Sequence, residues 1–137
     1  MRNVIARASV PFLVFAALLL VRPGMAEAIE IQRVVSPGGI EAWVVEDHKN
    51  PNITLSASFE GGAAADPDGK EGLAVLTASL LDEGASPYDS DAFRRKLEDM
   101  VIGLSFNARN DSFGASLQTL TENSDEAFDL LRLAMTE

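Results

Sequence analysis

The sequence contains no cysteine and a single histidine, His48, among its 137 residues. Without cysteine the chain can form neither a disulfide nor a thiolate metal site. With one histidine it cannot supply two imidazole ligands to a metal. A serine–histidine–aspartate triad would have to be built around His48, and the G-x-S-x-G pattern of one large hydrolase class is absent. Two-histidine zinc sites, thiolate zinc sites and disulfide frameworks are therefore excluded.

Basic residues are also few. The chain has 11 lysines and arginines against 21 aspartates and glutamates, a formal net charge of −10 at pH 7. Such a surface repels nucleic acid and anionic lipid, so we expect neither as a partner. The phosphate-binding patterns G-x-x-x-x-G-K-[ST] and G-x-G-x-x-G are missing as well.

One apolar run stands out, and it lies close to the N-terminus. Arg2 and Arg7 precede the run at 10–21, and small residues follow that allow cleavage after Ala26 or Ala28. This layout predicts a secretory signal peptide at 1–28 and an exported mature chain. An uncleaved membrane anchor is the alternative, although a spanning helix needs about 20 residues. After cleavage we expect no stable membrane span.

Beyond residue 28, hydrophobic periodicity predicts five strands and three helices. Their order, βββααββα, indicates an α+β fold in which helices pack on one face of an antiparallel sheet. The strands are expected at 29–35, 40–47, 53–60, 103–109 and 112–120, and the helices at 70–83, 90–100 and 124–136.

The first helix has a start signal and a stop signal. Asp68 and Glu71 have the spacing of a capping box, and Gly84 stands where a C′ glycine belongs. Three leucines recur at helical spacing and are expected to face the sheet or a neighbouring helix. They are Leu73, Leu76 and Leu80.

Three segments together resemble the N-terminal domain of the pitrilysin-like zinc metallopeptidases, the family of insulin-degrading enzyme and the mitochondrial processing peptidase. These are GGAAADPDGKEGLAVLTASLLDEGA, GLSFNARNDSFGASLQTL and ENSDEAFDLLRLAM, and the resemblance runs from about Val34 onward. It implies that 29–137 is a domain of this kind. Because the sequence stops inside a predicted helix at Glu137, we expect the domain to be truncated there, with a second, related domain normally following.

In catalytic members of that family, glycine-leucine-alanine is followed directly by His-x-x-Glu-His. The two histidines bind zinc, the glutamate between them is the general base, and a second glutamate from a later helix completes the ligand set. After Gly72-Leu73-Ala74, the same frame places the motif on Val75, Ala78 and Ser79. The resemblance therefore implies a degenerate site: no catalytic, metal or cofactor-binding residues here, and zinc only in a catalytic partner. The alternative is a helix that never held zinc.

Catalytic subunits of the family often pair with a homologous subunit that lacks the motif. By resemblance, this chain is expected to be such a noncatalytic subunit in the periplasm of a Gram-negative bacterium. It would bind the peptide substrate while a homologous catalytic peptidase subunit cleaves it. A stand-alone exported binding or scaffold domain is the alternative. An active zinc metallopeptidase is a third possibility, and the residues at positions 75, 78 and 79 argue against it.

The strand at 53–60 is a candidate edge for peptide binding, because an extended peptide can add to a strand edge through main-chain hydrogen bonds. Its alternation is regular, and its polar face carries small side chains. We expect the helix that follows to line the same cavity, and the acidic surface to favour basic peptides. The candidate residues are Thr54, Leu55, Ser56, Ala57 and Ser58.

Overall fold

The structure, a computed structural model, describes residues 30–137. The expected signal peptide at 1–28 lies outside the described residues. The chain divides into two compact units between Glu46 and Asp47. Among the residues described, no helix is long and apolar enough to cross a membrane. The elements are β1 (Ile31–Val35), β2 (Glu41–Val45), β3 (Asn52–Glu60), α1 (Leu73–Leu80), α2 (Ser90–Asp99), β4 (Gly103–Ala108), β5 (Ser112–Leu120) and α3 (Ser124–Thr136).

The predicted element order and the α+β class are confirmed. Strand bounds agree with the prediction to within two residues, whereas α1 is shorter than predicted at both ends. The prediction of one sheet needs correction. Backbone pairing divides the strands into a β1–β2 hairpin and a three-stranded antiparallel sheet in the order β3-β5-β4.

The hairpin of the first unit is held by an ion pair on its own surface. The Arg33 guanidinium donates to both carboxylate oxygens of Glu41, at 2.6 and 2.7 Å, and the Trp43 indole N–H donates to the same carboxylate at 2.9 Å. The hydrogen bonds from Arg33 and then from Trp43 hold the pKa of Glu41 below its ordinary value. Arg33 also lies directly opposite Trp43 in the antiparallel register, so side chains of both strands join one contact.

In the second unit, one face of the three-stranded sheet carries the core. The register aligns Leu55, Leu117 and Leu104 across the three strands. Leu117 and Leu104 belong to the buried cluster that α2 and α3 also form, and Leu55 packs against it, so this row faces the two helices. Leu117 is fully buried there. The helices contribute Phe93, Leu97, Ala127, Leu130 and Ala134 to the same cluster.

The prediction for the leucines of α1 is wrong. Leu73, Leu76 and Leu80 are 44%, 56% and 56% exposed, whereas Ala78 is 4% exposed. At 100° per residue, Ala78 lies on the opposite side of the helix from Leu76. Small residues let a helix backbone come close to its support, so α1 packs on the side of Ala78 and leaves its leucines outward.

The capping of α1 also differs from the prediction. Asp66 rather than Asp68 caps the helix, since its carboxylate accepts from the backbone N–H of Gly72 at 2.7 Å and of Ala74 at 2.9 Å. Gly84 is not in the left-handed conformation of a C′ glycine. A Cβ there would lie 3.2 Å from the backbone nitrogen of Ser90, so glycine permits a close approach to the start of α2 instead.

The connection from α2 to β4 is a Schellman turn with an unusual residue. The N–H of Ile102 donates to the carbonyl of Leu97 at 2.8 Å, and the N–H of Val101 donates to that of Glu98 at 3.1 Å. The residue between helix and strand, Val101, has φ = 54°. Glycine normally occupies this left-handed position, because a β-branched side chain is strained there.

Candidate functional site

The three positions that the zinc motif would occupy lie together on α1. Val75 is 52% exposed, and Ser79, four residues later, is exposed on the same side of the helix. Ala78 is the buried residue of the helix. The Ser79 hydroxyl donates to the carbonyl of Leu76 at 2.8 Å, so it is engaged within the helix itself. The backbone therefore presents the two ligand positions side by side, but the side chains offer no imidazole and no general base.

Other donors do not replace the missing ligands. Within residues 30–137, no group of three or more histidine, cysteine, aspartate or glutamate side chains is placed to hold a metal ion. His48 lies in the loop between β2 and β3, away from α1 in sequence. The carboxylate of Asp66, which precedes α1, is engaged in capping the helix.

The structure separates two features that the sequence analysis placed in one cavity. Helix α1 packs beside β4. The candidate peptide edge is on β3, at the opposite edge of the sheet, with β5 between them. The reason is topological, since β5 follows β4 in the chain but inserts between β3 and β4. In the candidate segment, Thr54, Ser56 and Ser58 are exposed, and Leu55 and Ala57 are half-buried toward the core.

The face of the sheet opposite the core is polar and has a hollow of about 320 Å³. The register places Ser56, Ser116 and Ser105 in one cross-strand row. The next row is Ser58, Gly114 and Asn107. Gly114 has no side chain to fill the centre of the sheet, and the Asn107 side chain lies where its Cβ would be. Short hydroxyl side chains around a central glycine thus produce the hollow.

Arg109 completes the lining of this hollow. Its backbone is fixed on both sides, because its N–H donates to the carbonyl of Ser112 at 2.8 Å and its carbonyl accepts from Ala63 at 2.8 Å. In the part of the chain that the structure describes, its guanidinium has no ion pair. This site was not predicted from the sequence. The signal was the alternation of short polar residues and glycine along 54–58 and 112–116, but the strand register was needed to bring them together.

Comparisons with known proteins agree with this fold. No protein-family model matches the sequence. The chain is 30% identical over 87 residues to a protein described as "Non-peptidase homolog YmxG" from Helicobacter pylori (strain ATCC 700392 / 26695), covering 64% of this chain and 20% of the relative.

Two solved structures extend the comparison. A peptidase M16 inactive domain from Pseudomonas fluorescens superimposes with a TM-score of 0.71 at 25% identity, over 77% of this chain and 26% of that chain. A protease from Helicobacter pylori has a TM-score of 0.66 at 17% identity, over 79% of this chain and 26% of that chain, which shows a shared fold. The present chain thus spans about a fifth to a quarter of these relatives.

The resemblance to pitrilysin-like, or M16-type, peptidases is thereby confirmed. The described chain is peptidase-like in fold. Two of the proteins it is similar to are themselves described as inactive or as non-peptidases.

Proposed function

We propose that this chain is a noncatalytic, peptide-holding subunit that pairs with a homologous catalytic peptidase. The observation that supports the proposal most strongly is the combination of an M16-type fold with Val75, Ala78 and Ser79 at the motif positions. The partner would carry His-x-x-Glu-His and the zinc, which lowers the pKa of a bound water to about 7 for attack on the peptide. This chain would supply binding surface and no chemistry.

The pairing is tested with the chain and the pitrilysin-like peptidase from the same genome that retains the zinc motif. We expect the two to elute together from size exclusion as a one-to-one complex, and the complex to cleave peptides with a higher kcat/KM than the peptidase alone. The isolated chain should be inert. If the two proteins never associate and turnover is unchanged, the pairing is wrong, and the stand-alone binding or scaffold domain becomes the better explanation.

Peptide holding would use a strand edge. Within the second unit, β3 pairs with β5 on one side, so main-chain groups on its other side are available to an extended peptide. The same is true of β4, and β4 is a second candidate because α1 packs beside it. A peptide that adds to an edge forms main-chain hydrogen bonds without needing any particular side chain.

Hydrogen exchange distinguishes the two edges. Addition of an unreactive extended peptide to the complex should slow amide exchange in the strand to which the peptide adds. Protection confined to 52–60 supports the β3 edge, protection confined to 103–108 supports the β4 edge, and the central strand at 112–120 serves as the internal control. No added protection in either edge strand would contradict peptide holding by strand addition.

Export belongs to the same proposal, because the signal-like segment at 1–28 would carry the chain to the periplasm. Expression in a Gram-negative host followed by fractionation tests it. We expect the protein in the periplasmic fraction with a new N-terminus at Glu27 or Ile29, corresponding to cleavage after Ala26 or Ala28. An uncleaved protein in the membrane fraction would contradict it and support the membrane-anchor alternative.

A further inference from the structure

Strand addition uses main-chain groups only, so it gives no role to the side chains of the polar hollow on the open face of the sheet. These side chains have the features of an anion site. We propose that the hollow binds a carboxylate group of the bound peptide, with Arg109 as the charged partner. This inference rests on the proposed peptide-holding function and deepens it by naming a chemical preference of the substrate.

The hollow is lined by side chains that can donate hydrogen bonds to a carboxylate. Its lining has five serines, one asparagine and one arginine, and no carboxylate. Arginine is the residue best suited to a carboxylate, because its planar guanidinium can donate two parallel hydrogen bonds. Serine hydroxyls and the asparagine amide can donate further bonds to the same oxygens or to the peptide main chain. A volume of about 320 Å³ is enough for a short extended segment of a ligand.

The charged groups around Arg109 also favour an anionic ligand. Three cations of the second unit, Arg94, Lys96 and Arg132, form ion pairs with neighbouring carboxylates. Arg109 forms none among the residues that the structure describes. Glu60 and Arg109 lie on either side of Ser112 in β5. Two strand spacings therefore separate their backbones by about 10 Å. A guanidinium at a neutral, hydroxyl-lined hollow leaves an anion as the complementary ligand.

The backbone at Arg109 is held on both sides, whereas its exposed side chain is not fixed by packing. Arg109 N–H and C=O both form backbone hydrogen bonds, to Ser112 and from Ala63. Its Cα is therefore held at the rim, while the side chain can still turn toward a ligand. Asn107, two residues earlier, lies over Gly114 at the floor of the hollow. These two side chains leave β4 on the same face, so one ligand can reach both.

The acidic surface does not conflict with this preference. Long-range repulsion of a carboxylate is screened over about 8 Å at physiological salt, whereas a guanidinium–carboxylate pair in direct contact is screened less because its charges lie well within that distance. A peptide with basic side chains and one carboxylate satisfies both the acidic surface and Arg109. The carboxylate could come from the C-terminus of the peptide or from an acidic side chain, and the chemistry at Arg109 is the same.

The test is a nuclear magnetic resonance titration of the 137-residue chain with three acetylated peptides of six residues. All contain five alanines and one lysine, except that the third has a glutamate in place of one alanine. The first ends in a free carboxylate, the second in an amide, and the third in an amide with its glutamate as the only carboxylate. We expect the shifts of Asn107, Ser112 and Gly114 to report binding, and the second peptide to bind about tenfold more weakly than the best of the others.

Three variants complete the design. Arg109→Gln should abolish the tenfold advantage of the carboxylate, Arg109→Lys should keep part of it, and Arg95→Gln should leave it unchanged. Arg95 is a matched control because it is an exposed arginine on α2 without an ion pair among the described residues. Tight binding of the first peptide alone identifies a C-terminal carboxylate as the ligand, and tight binding of the third identifies an acidic side chain.

Two results would overturn the carboxylate site. One is equal binding of all three peptides to the wild-type chain; the other is an equal loss of affinity in Arg109→Gln and Arg95→Gln. In either case peptide holding by a strand edge still stands, since the peptides bind. If none of the peptides binds even in the presence of the catalytic partner, the carboxylate site and the peptide-holding function are both wrong.

Discussion

The backbone N–H of Ala63 donates to the carbonyl oxygen of Arg109 at 2.8 Å, and this bond fastens the loop before α1 to the tip of the β4–β5 hairpin. Two neighbouring bonds extend the contact, from Ala64 to Asn110 at 2.7 Å and from Gly61 to Asp111 at 3.1 Å. The loop before α1 and the turn that follows Arg109 are therefore one unit of structure. A change in either should disturb both.

Gly62 makes that contact possible, so we expect Gly62→Ala to destabilise the fold. A Cβ at this position would overlap the carbonyl oxygen of Arg109 and lie 2.9 Å from the nitrogen of Ser112, both backbone atoms that cannot move independently. Urea unfolding should show a loss of about 1–3 kcal/mol. The control is Gly103→Ala, because a Cβ there would lie 3.7 Å from the Cβ of Gln118, an ordinary van der Waals contact. This substitution should change the free energy of unfolding by less than about 0.5 kcal/mol. Equal effects of the two variants would contradict the close approach.

Val101→Gly should stabilise the protein. Relief of the left-handed strain of a β-branched residue is worth about 1–2 kcal/mol, and the added backbone entropy of glycine costs about 0.5–1 kcal/mol. Because Val101 is 67% exposed, little apolar burial is lost. The expected net gain lies between about 0 and 1.5 kcal/mol in the free energy of unfolding, with a central value of about 0.75 kcal/mol. Val101→Ala keeps the Cβ and serves as the control; an equal gain with alanine would show that strain at φ = 54° is not the cause.

The motif positions on α1 should differ sharply in their tolerance of charge. Ala78→Glu would place a carboxylate at a site that is 4% exposed, so we expect a loss of about 3 kcal/mol or more, measured by urea unfolding. Ser79→Glu adds the same side chain one residue later on the exposed side and should cost less than about 0.5 kcal/mol. If Ala78→Glu is as well tolerated as Ser79→Glu, the described orientation of α1 is wrong.

The ion pair that joins α2 to α3 gives a pH prediction. Lys96 contacts Glu126 at 2.6 Å and lies 5.2 Å from the centre of the Tyr88 ring. The hydrogen bond to Glu126, followed by that to Tyr88, raises the pKa of Lys96 above its ordinary 10.5. A raised pKa in the folded state means that the stabilisation is complete below the unfolded value and disappears as the pH rises through the folded value.

The melting temperature of the wild-type chain should therefore exceed that of Lys96→Met at pH 8, by an amount that corresponds to about 0.5–1 kcal/mol. The difference should shrink as the pH rises above 10.5 and through the raised pKa of Lys96. Lys70→Met, at an exposed position without an ion pair among the described residues, serves as the control and should show no such trend. A constant gap between wild type and Lys96→Met up to pH 12 would contradict the assignment.

Local patterns in the sequence were sufficient for the order and class of the elements. Alternation along 53–60 and 112–120 predicts strands because each has one apolar face, and the structure confirms both. Asp89 fits a helix start, and its carboxylate does accept from the N–H of Ala92 at 2.8 Å. Such features depend on residues within a few positions of each other, which is what a sequence pattern records.

What the sequence did not predict depends on pairing between distant segments. The leucines of α1 have core-like spacing, but Ala78 decides which side packs, and only the position of β4 makes that side the inner one. The polar hollow requires Ser56, Ser116 and Ser105 to align across three strands, and sequence order does not give that register. The placement of β5 between β3 and β4 likewise separates the candidate edge from α1.

The most direct test of the central claim is a combined metal and peptidase measurement on the purified chain. The chain is incubated with zinc, dialysed and analysed for bound metal, and its cleavage of a mixture of peptides is assayed with and without a chelator. Because Val75, Ala78 and Ser79 offer no imidazole and no general base, we expect far less than one zinc per chain and no cleavage above background. One tightly bound zinc per chain together with chelator-sensitive cleavage would contradict a noncatalytic role.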